Sequence, residues 1–271
     1  MRAPRTRGAL AADLLAVDVG NSKLLAALFR AGRERLRVRI DYNSAPPARW
    51  AASWARALRA LREVGGGPVP VLVASVAPRR AAIIERQLRA AGYARIRQAG
   101  WRDPWPFAIR VRNPATLGVD RLANVAGLVA LGFRSGVAID AGTAITVDVL
   151  DRRRLRGGLI LPGFALAARA LHAQTEQLPQ VRPLRAPALV GRDTRAALQS
   201  GIHHGLVGAV GAVAVAARRQ LEPGAVIVFT GGDGERFWAE CRLPGARFEP
   251  DLLLLGLRRL GRRIFAGRAA G

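Results

Sequence analysis

Two short loops in this sequence each combine an aspartate, a glycine and hydrogen-bonding side chains after an apolar run. They are Asp18-Val19-Gly20-Asn21-Ser22 and Asp140-Ala141-Gly142-Thr143. Glycine lets backbone N–H groups approach phosphate oxygens, and aspartate is an oxygen ligand for Mg²⁺ or for a monovalent cation. The same residue pairs are also common in hairpin turns. A single loop of this kind would favour an ordinary hairpin turn, whereas two such loops at matched positions favour phosphate binding.

Asp120 is the candidate for the chemical step that such loops would serve. Phosphoryl transfer needs positioning, charge stabilisation and a carboxylate that orients the attacking hydroxyl and accepts its proton. Asp120 could do this while Arg121 holds an anionic group, although Asp is also a preferred helix N-cap and the local sequence fits a cap equally well. His172, His203 and His204 lack the spacing of a catalytic triad or a metal site, so we assign them no role.

Each loop is predicted to join two strands of a hairpin. Residues 14–18 and 24–29 read as strand, turn and strand, and residues 136–150 repeat that pattern. When the hairpins are aligned, the aspartates and the glycines of the two loops coincide. The sequence therefore predicts an internal duplication, with Gly231-Gly232 as a further turn after a strand, suited to packing against adenosine.

Helices and strands alternate around the two hairpins. Helical spacing and stop signals predict helices at 50–64, 84–91, 122–131, 165–171 and 194–219, with further strands at 69–76 and 225–229. Asp120 is thus placed near a helix N-terminus. We predict an α/β protein with an N-terminal domain at 13–124, a C-terminal domain at 125–271 and a flexible tail at 1–12.

Composition limits the function classes. The chain has 271 residues, half of them apolar, which is enough for a substantial core. Its apolar stretches are too short to predict a membrane span, and the single cysteine, Cys241, excludes an internal disulfide and fits a reducing cytoplasm. The net charge of +24 is typical of nucleic-acid binders. Because the arginines are spread along the chain without one dense tract, we do not expect nucleic acid to be the main partner.

The ordered set of motifs resembles one family, the type III pantothenate kinases of the acetate and sugar kinase, Hsp70 and actin superfamily. The resemblance covers nearly the whole chain after the tail. Beyond the two loops it includes the segments Ser75-Val76-Ala77-Pro78, Gly118-Val119-Asp120-Arg121, Gly157-Gly158 to Pro162-Gly163, 175–179, Gly191-Arg192-Asp193-Thr194 to Ser200-Gly201, Thr230-Gly231-Gly232-Asp233 and Pro250-Asp251-Leu252.

This resemblance implies a fold, an activity and partners. The fold would be two duplicated actin-like, ribonuclease H-like domains, with mixed sheets flanked by helices and an ATP cleft between the halves. The activity would be ATP-dependent phosphorylation of pantothenate to 4'-phosphopantothenate, the first step of coenzyme A synthesis. Members of the family are cytoplasmic homodimers that require Mg²⁺ and K⁺ or NH₄⁺.

The resemblance also assigns roles to individual residues. Asp120 would be the general base, Asp140 would bind the monovalent cation, and Asp18 would hold Mg²⁺ through water. Pantothenate would contact Gly118, Val119, Asp120, Arg121 and Thr194. ATP would contact Thr143 and the first loop with the start of the next strand, namely Asp18, Val19, Gly20, Asn21, Ser22, Lys23, Leu24 and Leu25.

One position departs from the family pattern. Many members carry a tyrosine three residues before Pro114, where it lines the substrate pocket, and this chain has Val111 there. That difference leaves open a sibling kinase acting on another small hydroxylated substrate. The arginine content leaves open a regulatory or nucleic-acid-associated protein that keeps the kinase fold.

Overall fold

The computed structural model describes residues 13–42 and 46–266, so the predicted tail at 1–12 lies outside the described residues. These residues form two compact units. The first contains the described residues up to Trp105 together with 118–123 and the segment from Leu257 onward, and the second contains 106–117 and 124–256. The units divide the chain at more points than the predicted boundary near Asn124. The domain ranges 13–124 and 125–271 therefore stay a prediction.

The first unit is built on a five-stranded sheet. Its strands are β1 (Leu14–Val19), β2 (Lys23–Arg30), β3 (Arg33–Asp41), β4 (Val71–Ser75) and β5 (Ile96–Gln98), in the order β3-β2-β1-β4-β5. Strands β1, β2 and β3 are antiparallel, whereas β4 and β5 run parallel to β1. The predicted first hairpin is confirmed.

Two helices cover one face of this sheet, α1 (Pro47–Gly65) and α2 (Pro78–Ala90). Both begin with proline, whose fixed φ suits a first helical position and whose missing N–H costs no helical hydrogen bond there. The residues they bury form one core cluster with the sheet, and its largest members include Trp54, Leu58, Leu61, Ile84 and Leu88. Strand β1 is buried throughout, and its residues Leu15, Val17 and Val19 belong to this cluster.

The second unit is built on a six-stranded sheet in the order β11-β10-β7-β8-β9-β6. Its strands are β6 (Ala108–Ile109), β7 (Gly136–Ala141), β8 (Ala144–Asp151), β9 (Arg154–Pro162), β10 (Val226–Thr230) and β11 (Arg247–Phe248). The remaining helices are α3 (Val119–Ala130), α4 (Phe164–Ala173), α5 (Thr194–Arg219), α6 (Gly234–Cys241) and α7 (Leu252–Ala266). Helices α3 and α7 each contribute residues to both units.

The second sheet repeats the first. Strands β7, β8 and β9 are antiparallel, and β10 and β11 continue in parallel from β7, so these five strands reproduce the order and directions of β1 to β5. Strand β6 adds an edge next to β9. The predicted α/β class and internal duplication are confirmed, and the two Asp-x-Gly loops occupy equivalent places between the first two strands of each repeat.

Helix α5 is long and apolar enough to cross a membrane by length and composition alone. In the structure it contacts α4, α6, β7 and β10, and it buries Val210 and Ala214. Its N-terminus is capped by Asp193, whose carboxylate accepts a hydrogen bond from the Ala196 N–H at 2.8 Å. One side of α5 is therefore packed against the rest of the second unit, while the glycines at 201, 205 and 208 are exposed.

Candidate active site

The first loop is a tight turn between β1 and β2. Asp18, near the end of β1, is 7% exposed, and the Gly20 N–H donates to the Lys23 carbonyl at 3.0 Å. The Tyr42 N–H donates to the Ser22 carbonyl at 2.9 Å, which ties the turn to the residue after β3. Asn21 is exposed at the tip. A short, braced turn of this kind holds its amide groups in fixed directions.

The residues on either side of the turn differ in what they can offer a nucleotide. Val19 and Leu24 are paired across β1 and β2 and belong to the buried core, so any contact they make with a ligand is through the main chain. Leu25 pairs with Asp18 and shares its face of the sheet. Lys23 is half-buried.

The segment that carries Asp120 is shaped by a glycine. Asp120 is the second residue of α3, not the residue before it, so the N-cap alternative is not supported. Its Oδ1 accepts the Arg121 N–H at 2.8 Å. A Cβ at Gly118 would overlap that same oxygen. Gly118 therefore makes room for the carboxylate to fold back over the start of the helix.

Within the first unit, the Asp120 segment and the first loop lie at the same end of the sheet. The Val76 N–H donates to the Val19 carbonyl at 3.3 Å, beyond the end of β4. The side chain of Val76 would lie 3.7 Å from a Cβ placed at Gly118. The carboxyl ends of β1 and β4 thus bring Asp18 and Gly118 to one edge of the sheet, although 100 residues separate them in sequence.

The second loop has the same form and lies in the second unit. The Gly142 N–H donates to the Ala144 carbonyl at 3.0 Å, and the Gly163 N–H donates to the Thr143 carbonyl at 3.0 Å. A Cβ at Gly163 would overlap the Gly142 carbonyl oxygen. Thr143 is exposed. The second loop is therefore supported by the close approach of the Gly163 backbone, whereas the first loop is supported by Tyr42.

Asp140 is enclosed by two residues, Asn124 and Gly231, that no sequence pattern connects with it. Asn124, on α3, donates its Nδ2 to Asp140 Oδ2 at 2.8 Å. Gly231 follows β10 with a φ of +91°, and a Cβ there would overlap Asp140 Oδ1 and the Ala141 carbonyl. Asn124 is 1% exposed, and its Oδ1 has no hydrogen-bond partner among the described residues. A buried amide oxygen beside a carboxylate is a suitable pair of ligands for a hard cation.

The predicted pantothenate contact at Thr194 lies elsewhere in the second unit. Thr194 is the first residue of α5 and is exposed, directly after the capping residue Asp193. The third predicted turn, at Gly231-Gly232, lies next to the second loop, because the Asp233 N–H donates to the Ala141 carbonyl at 2.9 Å. The ligand contacts of Thr194 and of this turn stay predictions.

Two further residues at these loops were missed from sequence. Asn124 is the one polar residue in the apolar stretch 122–130, and that isolation on a buried helix face was an available signal. Arg80, in the first turn of α2, donates its Nη1 to the Asn21 carbonyl at 2.8 Å. No sequence pattern connects Arg80 with Asn21, because the contact depends on how α2 packs against β4 and on the pairing of β4 with β1.

Comparison with known proteins agrees with this geometry. The family model described as type III pantothenate kinase matches residues 14–217. A type III pantothenate kinase from Chlorobaculum tepidum is 35% identical over 245 residues, covering 84% of this chain and 87% of that protein.

Two solved structures share the fold over nearly their whole length. One, described as a Baf family transcriptional activator from Campylobacter jejuni, has a TM-score of 0.58 at 19% identity and covers 92% of this chain and 98% of its own. Another, described as a 2-dehydro-3-deoxygalactonokinase from Sinorhizobium meliloti, has a TM-score of 0.56 at 16% identity, covering 93% of this chain and 99% of its own. The fold is therefore the actin-like fold of the sugar kinases.

Proposed function

This chain belongs to the type III pantothenate kinase family, and from that membership we propose that it transfers the γ-phosphoryl group of ATP to the primary hydroxyl of pantothenate. The product is 4'-phosphopantothenate, and the reaction is the first step of coenzyme A synthesis. Because ATP is the donor, we place the reaction in the cytoplasm.

The observation that carries the proposal is the position of Asp120. Its carboxylate lies at the start of α3, and Gly118 leaves the space it occupies. In the reaction the pantothenate hydroxyl oxygen forms a bond to the γ-phosphorus while the bond from that phosphorus to the β–γ bridging oxygen breaks. Asp120 accepts the hydroxyl proton, and ADP leaves. Arg121, the next residue, would hold an anionic group.

ATP would be held by the two Asp-x-Gly loops. The backbone and side chains from Asp18 to Leu25 and the Thr143 hydroxyl would donate to the phosphates. Asp18 would hold Mg²⁺ through water, and Mg²⁺ bound to the phosphates neutralises charge that develops during transfer. The buried carboxylate of Asp18 and the braced turn after it fit that role.

The monovalent cation, K⁺ or NH₄⁺, would be held at Asp140. The buried Asn124 Oδ1 lies on the side chain that already bonds Asp140, so one carboxylate and one amide oxygen are available as ligands. Gly231 closes the other side of Asp140 with backbone and leaves no room for a side chain. Together these residues would orient the second loop and its Thr143.

A panel of acceptors tests the proposed function. We expect the purified protein to consume ATP when pantothenate, Mg²⁺ and K⁺ or NH₄⁺ are all present, and to release phosphopantothenate that mass spectrometry detects. Because Val111 replaces the pocket tyrosine of many relatives, other small hydroxylated acids belong in the same panel. A different acceptor with the higher kcat/KM would identify a sibling kinase, and ATP binding without any acceptor would favour the regulatory alternative.

We also propose that the chain forms a homodimer through α4 and α5. A groove of about 550 Å³ runs between these helices and is lined by apolar and small residues. Glycines at 201, 205 and 208 of α5 face open space, since a Cβ at any of them would meet no atom within 4 Å. Glycine in a helix interior costs roughly 1 kcal/mol relative to alanine. Close approach of a second copy would account for these glycines.

Replacing Gly205 by arginine tests the proposed interface. We expect light scattering after size exclusion to give twice the 28.9 kDa chain mass for the wild type and one chain mass for Gly205→Arg. The monomer has space for the new side chain, so its far-UV circular dichroism should not change. Val64→Arg is the control, because Val64 is an exposed apolar residue on α1 and outside the groove. If Gly205→Arg stays dimeric, the interface lies elsewhere.

A further inference from the structure

The tip of the first loop accepts a hydrogen bond from an arginine that has no part in the proposed function. Arg80 reaches from the first turn of α2 to the loop tip, and its Nη1 donates to the Asn21 carbonyl at 2.8 Å. The two residues are 59 positions apart in sequence. Asn21 itself is exposed, so this hydrogen bond anchors the part of the loop that solvent reaches most easily.

The guanidinium of Arg80 is fixed by an aromatic surface. Its Cζ lies 4.6 Å from the centre of the Tyr42 ring, a cation–π distance. Tyr42 is 6% exposed and packs edge-to-face against Trp50, with 5.0 Å between ring centres. Tyr42 also donates its backbone N–H to Ser22. Tyr42 therefore contacts the loop directly at Ser22. It also orients Arg80, which contacts the loop at Asn21.

Two charged groups, Arg80 and Asp18, act electrostatically on Tyr42. Burial raises the pKa of Tyr42, the Arg80 guanidinium opposes that shift, and the Asp18 carboxylate adds to it. Both ionic groups therefore lie within electrostatic range of one ring. Arg80 is partly exposed and has five N–H donors, of which Nη1 serves Asn21.

Anchoring the Asn21 carbonyl has a geometric consequence for Ser22. The peptide between them is planar and trans, so the carbonyl of Asn21 and the N–H of Ser22 point in opposite directions. A donor that fixes the carbonyl therefore also fixes the direction of the amide. Ser22 is one of the residues expected to meet ATP phosphate.

We propose that Arg80 is a positioning residue of the ATP phosphate site, acting through the Asn21 carbonyl to hold the Ser22 amide toward phosphate. This inference rests on the proposed ATP role of the first loop. It concerns the phosphates alone, so adenosine should not depend on Arg80. Tyr42 acts one step further away, by keeping the guanidinium in place.

A matched pair of arginine variants tests the inference. Arg80→Ala should raise the dissociation constant for ATP and the KM for ATP about tenfold, equivalent to about 1.4 kcal/mol. The KM for pantothenate should change less than about twofold, because a hydrogen bond to one loop is lost and the fold is kept. Arg79→Ala is the control, since Arg79 is the exposed neighbour and its removal costs the same charge. It should leave ATP binding within about twofold of the wild type.

Further measurements separate positioning from general stability. Calorimetric titration should show weaker ATP and ADP binding to Arg80→Ala with unchanged adenosine binding, and Arg80→Lys should recover part of the loss. Amide exchange at Ser22 should speed up in Arg80→Ala. Equal losses in Arg79→Ala would show a diffuse charge effect, and parallel losses for adenosine or pantothenate would show a structural role. Either result overturns the inference, as does unchanged ATP binding.

These binding measurements do not depend on turnover. If the wild type binds ATP but phosphorylates no pantothenate, the proposed acceptor is wrong while Arg80 remains testable by titration. If the wild type binds no ATP, the proposed function fails at its first step and the inference fails with it.

Discussion

Asp120→Asn lowers kcat for pantothenate phosphorylation by about 10²-fold or more, with ATP binding largely unchanged. The amide has nearly the shape of the carboxylate, so the space beside Gly118 stays filled and α3 keeps its first turn. The amide, unlike the carboxylate, cannot accept the hydroxyl proton at neutral pH. Steady-state kinetics with pantothenate and calorimetric titration of ATP measure the two quantities separately.

The alternative for Asp120 is a structural role at the helix start. A carboxylate in the first turn of a helix contributes about 0.3–1 kcal/mol through the helix dipole, and that loss would appear in urea unfolding. Asp151→Asn is a suitable control, because this aspartate ends β8 and forms an ion pair with the exposed Arg156. Unchanged kcat in Asp120→Asn together with lower stability would assign Asp120 to the helix and remove the base from the mechanism.

The duplicated hairpins were predictable because their signals are local. An apolar run, a turn with Asp and Gly and a second apolar run lie within about 16 residues in each repeat, and β1 with β2 and β7 with β8 follow that plan. A long helix was also predicted at about 194–219, and α5 spans Thr194–Arg219, with Asp193 as the N-cap residue that the structure adds. Local signals of this kind need no tertiary information.

Strand β3 was missed although its alternation is regular. Leu36, Val38 and Ile40 pack against the core, while the arginines between them are exposed. A period of two was therefore present, but the high arginine content hid it in a stretch with few apolar residues. The strand forms the edge of the first sheet, where exposed charges protect against pairing with other chains.

The motif residues of the site could be predicted from the sequence, but the residues that orient them could not. Asp18, Asp120 and Asp140 lie in recognisable segments, but the partners that orient them come from elsewhere in the chain. Asn124 meets Asp140 only when α3 packs against β7, and Gly231 meets it only because β10 pairs with β7. Such contacts depend on sheet order, which single-sequence patterns do not specify.

Gly231→Ala is expected to destabilise the second unit and to disrupt the Asp140 site together. The backbone at Gly231 has a φ of +91°, which costs an alanine about 1–2 kcal/mol. The new Cβ would also overlap Asp140 Oδ1 and the Ala141 carbonyl, and overpacking of that kind costs about 1–3 kcal/mol more. We expect a total of about 2–5 kcal/mol by urea unfolding and a loss of kcat/KM of about tenfold or more.

Gly224→Ala separates backbone strain from the overlap with Asp140. Gly224 has nearly the same φ, +87°, and a Cβ there would meet no atom within 4 Å. It should therefore lose only the strain component, about 1–2 kcal/mol, and keep its kcat and its activation by K⁺. If both variants lose the same stability and neither changes the K⁺ concentration for half-maximal activity, Gly231 serves the turn alone. A shift confined to Gly231→Ala would show that the backbone at this turn holds the Asp140 carboxylate in the position that K⁺ requires.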